Sequence, residues 1–511
     1  MAVNFAQNPT GLAPNKMVLT AVALMTVALV VGFFLVGVLS DAFDSFPYLF
    51  LLPWVIALAA VFATPSIFLY YRGEFSLANP IVFATISYFV PAFVFGGIFL
   101  STGYSEPYFL SYIQDADYNL PLTIVLIGLG FISLSIGYFV PIGNKVGELV
   151  GRYLPSADYS SDAFLFPGII LLILGVMNTI FAFGVGLFGY QVSEETNIYA
   201  GLIYLSTLLR VQGTFLLWVV VFKQKKFTAI TGIVVALLIA VDLSSAIFAG
   251  NRGTILQVFF VVVLAFVFAG RKIRMKYAVV ASVLLSLGII AGMIYGTTFR
   301  IVKGTESQQS SGQYADNIAK TIDEVSRRSA FDSVSMGLAM LSERLDIVST
   351  LAVVVSNYEQ LKPYEEAYGL DNNIWTDTTT FFIPRVIWVE KPAASDARKY
   401  SDLYFNVSDS SFAITPMGDL LRNYGIIGIP IGMFILGVIL RLIYSSLVTP
   451  SETPIWKAML YFMLLTTVSY EGFYGTIVPT MFKVAFTALI GVLIVVFIAR
   501  KLDRRGAQIT V

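Results

Sequence analysis

The stretch "LPLTIVLIGLGFISLSIGYFV", residues 120–140, contains no charged side chain. A helix rises 1.5 Å per residue, so about 20 apolar residues cross the roughly 30 Å of bilayer hydrocarbon. The stretch lacks the in–out alternation of a membrane β-strand and reads as a spanning helix. Similar runs start near Met17, Tyr48, Ile81, Phe164, Ile198, Phe227, Thr254, Tyr277, Tyr424, Ile455 and Thr476. With Leu120 that makes twelve, the run from Thr254 and the pair from Ile455 onward being short. The expected fold is an all-α polytopic membrane protein of about 12 transmembrane helices.

The rest of the chain agrees. Of its 511 residues 57% are hydrophobic and 13% charged, against roughly 45–50% apolar residues in soluble domains. There is no cysteine, which excludes disulfides and thiol catalysis. There is no histidine, which removes the commonest general base and metal ligand. Formal net charge is zero, so electrostatics depends on where charges lie, and no nucleic-acid partner is expected. The first sixteen residues are polar and lead into an apolar run too long for a signal-peptide core, read as a retained helix.

Lysine and arginine orient the spans. The loops 40–47, 105–119 and 190–197 carry acid and no base, whereas KQKK (223–226), GRKIRMK (270–276) and RKLDRR (500–505) carry the base. Both termini are therefore expected in the cytoplasm. The segments are then 1–299, an N-terminal bundle of about nine spans; 300–423, a large extracytoplasmic loop between spans 9 and 10; and 424–511, a bundle of about three spans. In the loop, KGTESQQSSGQYADN (303–317) is poor in apolar residues and reads as a mobile linker. From Ser329 the recurrence of Val334, Leu338, Leu341, Leu345, Val348 and Leu351 predicts a helix lying on the membrane domain.

Several basic residues fall where bilayer energetics disfavour them. Arg210 is near the middle of a span, Arg252 lies in the tight turn AGNRGT, and Arg300 closes the ninth span. Arg344, Arg385, Lys391 and Arg422 come from the outer loop. A charge at the bilayer centre costs about 2.5–3.5 kcal/mol on lenient scales, so such residues face a cavity or a partner. Snorkelling accounts for Arg252 and Arg300 individually, and pairing with Asp242 accounts for Arg210. Convergence would instead make a phosphate site, because guanidinium forks match phosphate oxygens.

FFIPRVIWVEKP (381–392) is too apolar for a free loop and is expected to dip to the membrane interface, presenting Arg385 and Lys391. The alternative is an amphipathic anchor. In TPMGDLLRNYGIIGIPIG (415–432), Asp419 and Arg422 share one helical face. They read as a structural salt bridge or as a base beside a phosphate ligand.

These residues together resemble the bacterial O-antigen or oligosaccharide repeat-unit polymerases, the Wzy family. The resemblance rests on GNRG (250–253), Arg300, IPRVIWVEKP (383–392) and GDLLRNYGIIG (418–428), and covers roughly the second half of the chain. An acidic position usually glutamate in the last element is Asp419 here. The resemblance implies a metal-independent GT-C-type glycosyltransferase without cofactor in the bacterial inner membrane, its site facing the periplasm. The donor would be a glycan on undecaprenyl diphosphate and the acceptor a lipid-linked repeat unit, with membrane lipids and a chain-length co-polymerase as partners. Arg210, Arg252, Arg300, Arg344, Arg385, Lys391 and Arg422 would then bind the diphosphate or substrate. Asp419 and Glu390 are the first candidates for the base, followed by Glu343, Asp346 and Glu471. Tyr358, Tyr364, Trp375, Trp388 and Tyr404 are candidates for stacking on sugars or for packing.

Three rivals stand beside this reading. An O-antigen ligase is expected to use a loop histidine, which this chain lacks. A metal-dependent transferase would use Asp115 and Asp117 in QDADYN. A lipid-linked oligosaccharide transporter or flippase would use Arg210 and Asp242 as a coupling pair.

Overall fold

The computed structural model describes residues 46–509 apart from 105–106, 156–158, 188–198, 225, 250–251, 272–274, 305–310, 328–339, 343, 385–386, 393–394, 409–410 and 449–452. Among these residues the structure is helical, with no strand. In chain order come α1 (Leu49–Tyr71), α2 (Pro80–Ser101), α3 (Ala116–Phe139), α4 (Pro141–Tyr153), α5 (Ser161–Gly184), α6 (Ala200–Lys223) and α7 (Ala229–Phe248). There follow α8 (Arg252–Phe268), α9 (Met275–Lys303), α10 (Ser311–Arg327), α11 (Ile347–Glu365), α12 (Asn373–Thr380), α13 (Ala397–Phe405) and α14 (Thr415–Tyr424). The last three are α15 (Gly428–Leu447), α16 (Ile455–Thr467) and α17 (Tyr474–Ile509).

Eight helices among the described residues are long and apolar enough to cross a bilayer: α1, α2, α3, α5, α6, α7, α15 and the Tyr474–Asp503 part of α17. The run from Met17 lies outside the described residues. The short runs at Thr254 and Ile455 are α8 and α16. The 13 residues of α16 reach about 20 Å, less than the hydrocarbon thickness. The Tyr277 run lies in α9, 29 residues long. Large apolar side chains such as Ile173, Met177, Phe486 and Leu493 point outward, as in an all-α membrane protein.

Local signals set the helix ends. Asn79 accepts the Ile81 N–H at 3.2 Å and Pro80 opens α2. Pro141 holds Val140 extended and so ends α3. Asp346 caps α11 by accepting the Ser349 N–H at 3.0 Å.

Small residues let the helices approach. A Cβ on Gly137 would lie 2.0 Å from the Phe434 carbonyl oxygen, and one on Gly437 would lie 2.1 Å from that of Leu134. The α3 and α15 backbones therefore touch on both sides of the crossing, as at membrane helix interfaces.

Two main apolar cores result. One joins α1, α2 and α3 to α11, α14 and α15, so the 300–423 segment shares its core with the spans. The other joins α5, α6, α16 and α17, with Phe215 stacked on Phe462 at 4.3 Å.

Two expectations about the outer segment change. Of the expected linker 303–317, residues 305–310 lie outside the described residues, and the part from Ser311 is helix α10. Its Tyr314, Ile318 and Thr321, spaced at i, i+4 and i+7, are buried, and the Tyr314 hydroxyl donates to the Phe248 carbonyl at 2.6 Å. Low apolar content hid a one-sided helix. Of the helix expected from Ser329, residues 328–339 lie outside the described residues. The helix at Val348 and Leu351 begins at Ile347, and both side chains are buried.

Candidate functional site

Arg422 and Asp419 lie one turn apart on α14, and both are fully buried. Arg422 Nη1 donates to Glu365 Oε1 at 2.9 Å and to the Leu370 carbonyl at 3.0 Å. Its Nη2 donates to Asn373 Oδ1 at 2.7 Å and to Asp419 Oδ1 at 3.0 Å. Asp419 also accepts from Asn373 Nδ2, Asn423 Nδ2 and the Gly475 N–H. One guanidinium thus ties the end of α11, the start of α12 and α14 together, while Asp419 fastens the start of α17.

The electrostatics follows from burial. Burial raises the Glu365 carboxyl above the usual range, even though Arg422 and the Tyr404 hydroxyl, at 3.0 Å, oppose it. Burial works against the Arg422 charge as well, yet Asp419 and Glu365 outweigh it and hold the guanidinium above its ordinary value. Three of these donors meet on Asp419 Oδ1 and the Gly475 N–H takes Oδ2, so the fully buried carboxylate is held on both oxygens. In this geometry it fastens α14 to α12 and to the start of α17.

Asp377, one helical turn after Asn373 on α12, is different. It is only half-buried. Its Oδ2 accepts the Ser395 hydroxyl, and Ser395 Oγ accepts from Asn373 Nδ2 at 2.9 Å. Asp377 Oδ1 takes no hydrogen bond from any described residue. Burial raises this carboxyl above the ordinary aspartate range, and the Asp419 charge adds to the effect. The Ser395 hydrogen bond and the charges of Lys391 and Lys483 work the other way.

A second group of cations lies at α9 and α13. Lys303, at the end of α9, feels the charges of both Arg300 and Arg398. Arg398 opens α13, three residues after Ser395, and three residues of chain reach at most about 11 Å. Lys391, from the segment after α12, and Lys483, from α17, thus bear on one half-buried carboxylate, while Arg300, Lys303 and Arg398 form a second basic group at α9 and α13.

The other sequence candidates are placed as follows. Lys391 is half-buried beside Asp377 and donates to the Ile383 carbonyl at 3.1 Å. Arg300 is exposed next to Lys303, Glu390 and Glu471 are exposed, and Arg344 is half-buried just before α11. Asp346 is consumed as the α11 cap. Asp115 and Asp117 occupy the N-cap and first turn of α3, where acids complement the helix dipole. Arg385, Glu343 and the Arg252 side chain lie outside the described residues. Within FFIPRVIWVEKP, Phe382, Ile387, Trp388 and Val389 are exposed, and Phe381 packs edge-on against Phe482 of α17 at 5.0 Å.

Arg210 belongs to a separate cluster within the spans. Its Nη1 lies 3.7 Å from Asp242 Oδ1, and both residues are buried. A Cβ on Gly175 would fall 2.0 Å from the Arg210 backbone nitrogen, so α5 presses directly on that turn. Replacing Asp242 by alanine strands a cation in hydrocarbon and is expected to cost about 2.5–3.5 kcal/mol. Replacing Arg210 and Asp242 together by leucine should recover most of that loss. Denaturation of the purified protein in detergent reads both, and strictly additive losses would refute the pairing.

Three participants escaped sequence reading: Glu365, Asn373 and Asp377. Glu365 sits in KPYEEAYG and Asn373 in DNNIW, both of which look like solvated loop. The only sequence signal for Asp377 was its place one turn ahead of the FFIPRVIWVEKP stretch.

Residues 169–447, more than half of the chain, match a family model described as Domain of unknown function (DUF8712). The match contains Glu365, Asn373, Asp377, Asp419 and Arg422 and ends before α17. No curated protein and no solved structure matches the chain.

Proposed function

The chain belongs to the DUF8712 family, and we propose that it is a polysaccharide polymerase of the repeat-unit type. It transfers a growing glycan from undecaprenyl diphosphate to the terminal sugar hydroxyl of a lipid-linked repeat unit, on the outer face of the cytoplasmic membrane. In this reading the chain has twelve spans in a GT-C-type arrangement, cytoplasmic termini, and a chain-length co-polymerase as partner. One observation carries it: Lys391, from the segment after α12, and Lys483, from α17, bear on the half-buried carboxylate of Asp377.

Such a site suits a reaction in which a diphosphate leaves while a hydroxyl attacks. Charge grows on the leaving group as the glycosidic bond breaks, and fixed cations stabilise it most at that moment. The buried Arg422 network holds the loop elements to the spans, so that the cations keep their places as the lipid-linked chains move through.

The test is reconstitution of the full chain in nanodiscs with undecaprenyl-diphosphate repeat units and a chelator. A ladder of glycans is the expected product. Product only on adding manganese or magnesium would replace this reading with a metal-dependent transfer. A second reading, transport of lipid-linked oligosaccharide, is favoured by the buried Arg210–Asp242 pair. Movement of repeat units across a vesicle without any ladder would establish it instead.

A further inference from the structure

Beyond the cation site, the reaction needs a group to take the proton from the attacking hydroxyl. We propose that Asp377 is that catalytic base, acting on a sugar hydroxyl of the acceptor, with Ser395 and Asn373 as its positioning residues. The inference rests on the polymerase reading.

The geometry separates this carboxylate from its neighbours. Asp419 is enclosed, with its oxygens held by Arg422, Asn373, Asn423 and Gly475. Glu365 is buried and engaged by Arg422 and Tyr404. Glu390 and Glu471 are exposed, and neither side chain hydrogen-bonds to another described residue. Asp377 is anchored at one oxygen, and the other takes no hydrogen bond from any described residue. A general base needs that combination, fixed aim and a free lone pair.

The aim is set from inside the protein. Ser395 holds Oδ2, Asn373 holds Ser395, and Arg422 and Asn423 hold Asn373 Oδ1 at 2.7 and 2.8 Å. Three hydrogen bonds therefore run from the half-buried carboxylate to a fully buried guanidinium. Burial also brings the carboxyl closer to neutral pH, where a base is most effective.

The step balances. The acceptor O–H passes its proton to Asp377 Oδ1 while its oxygen forms a bond to the anomeric carbon of the donor glycan. The bond from that carbon to the diphosphate oxygen breaks, and the diphosphate leaves with the electron pair toward Lys391 and Lys483, the cations that bear on Asp377. Asp377 then returns the proton to water.

The test compares wild type, Asp377→Asn, Asp377→Glu and Ser395→Ala in nanodiscs with lipid-linked repeat units. Asp377→Asn is expected to slow ladder formation by about 10²–10⁴-fold. Binding of a radiolabelled lipid-linked repeat unit should stay within about threefold, since the asparagine keeps the shape. Asp377→Glu should recover part of the rate. Ser395→Ala should lower kcat more than it raises KM, and Lys483→Gln should move the acid limb of the rate profile to higher pH by removing a charge that favours the carboxylate. Asp419, Lys391 and Lys483 are the charged groups acting on Asp377 in that profile.

A wild-type ladder with Asp377→Asn within threefold of it overturns the base assignment and leaves the polymerase standing. Loss of binding and rate together in Asp377→Asn also overturns it, in favour of a structural role. Absence of a wild-type ladder removes the polymerase reading, and the base assignment falls with it.

Discussion

Replacement of Arg422 by alanine is expected to destabilise the folded protein by about 3–5 kcal/mol, the cost of breaking a buried ion pair from one side. The guanidinium makes four hydrogen bonds from a site with no solvent exposure. Without it, Glu365 and Asp419 remain as two buried carboxylates with no cation between them. Lysine is not a substitute, because a single ammonium cannot reach acceptors on α11, α12 and α14 at once.

The loss should depend on pH. Burial already raises the folded-state pKa of Glu365 above its unfolded value, which is about 4.3. A raised carboxyl binds its proton more tightly when folded. Its stabilising contribution is full below about pH 4.3 and is lost as pH rises through the folded value. Arg422 opposes that shift, so its removal widens the window. The Arg422→Ala protein should therefore melt at a distinctly higher temperature at pH 5 than at pH 8, with a smaller difference in wild type. Thermal unfolding in detergent followed by tryptophan fluorescence reads this, and an unchanged melting temperature at both pH values would show that the network carries little stability.

How far the sequence exposed this arrangement depends on the kind of signal. Long apolar runs need no tertiary context, and eleven of the twelve fall on described helices, from α1 to α17. The α10 helix was hidden because its buried face uses Tyr314, Ile318 and Thr321, a set too small and polar to stand out in hydropathy. Asp419 and Arg422 were legible as neighbours because i, i+3 spacing on a helix is local. Their partners were not. Glu365 is 57 residues before Arg422 and Asn373 is 49 before it, and only the docking of α11 and α12 on α14 brings them together. The same docking buries Asp419 fully and leaves Asp377 half-buried, a difference that no one-dimensional pattern contains.

Substitution of Arg300 by alanine is expected to slow glycan transfer by about 10²–10³-fold, roughly 2.7–4 kcal/mol, by analogy with removal of one oxyanion-stabilising donor. Arg398→Ala should act similarly, since both arginines bear on Lys303 from different helices. The charges of Arg300 and Arg398 disfavour the Lys303 ammonium, and a bound diphosphate would offset that effect. The offset grows as the leaving group takes up the bonding electrons, so the effect belongs mainly in kcat rather than KM. Arg398→Lys should retain part of the rate, because the charge remains while the two-pronged contact is lost. Both arginines are exposed, and screening should therefore weaken the cluster's pull at high salt more than it weakens the buried Arg422 network. Steady-state rates of the variants at two salt concentrations separate the possibilities. A raised KM with kcat intact would make the cluster a docking site for the lipid-linked substrate, and unchanged rates would place the leaving group elsewhere.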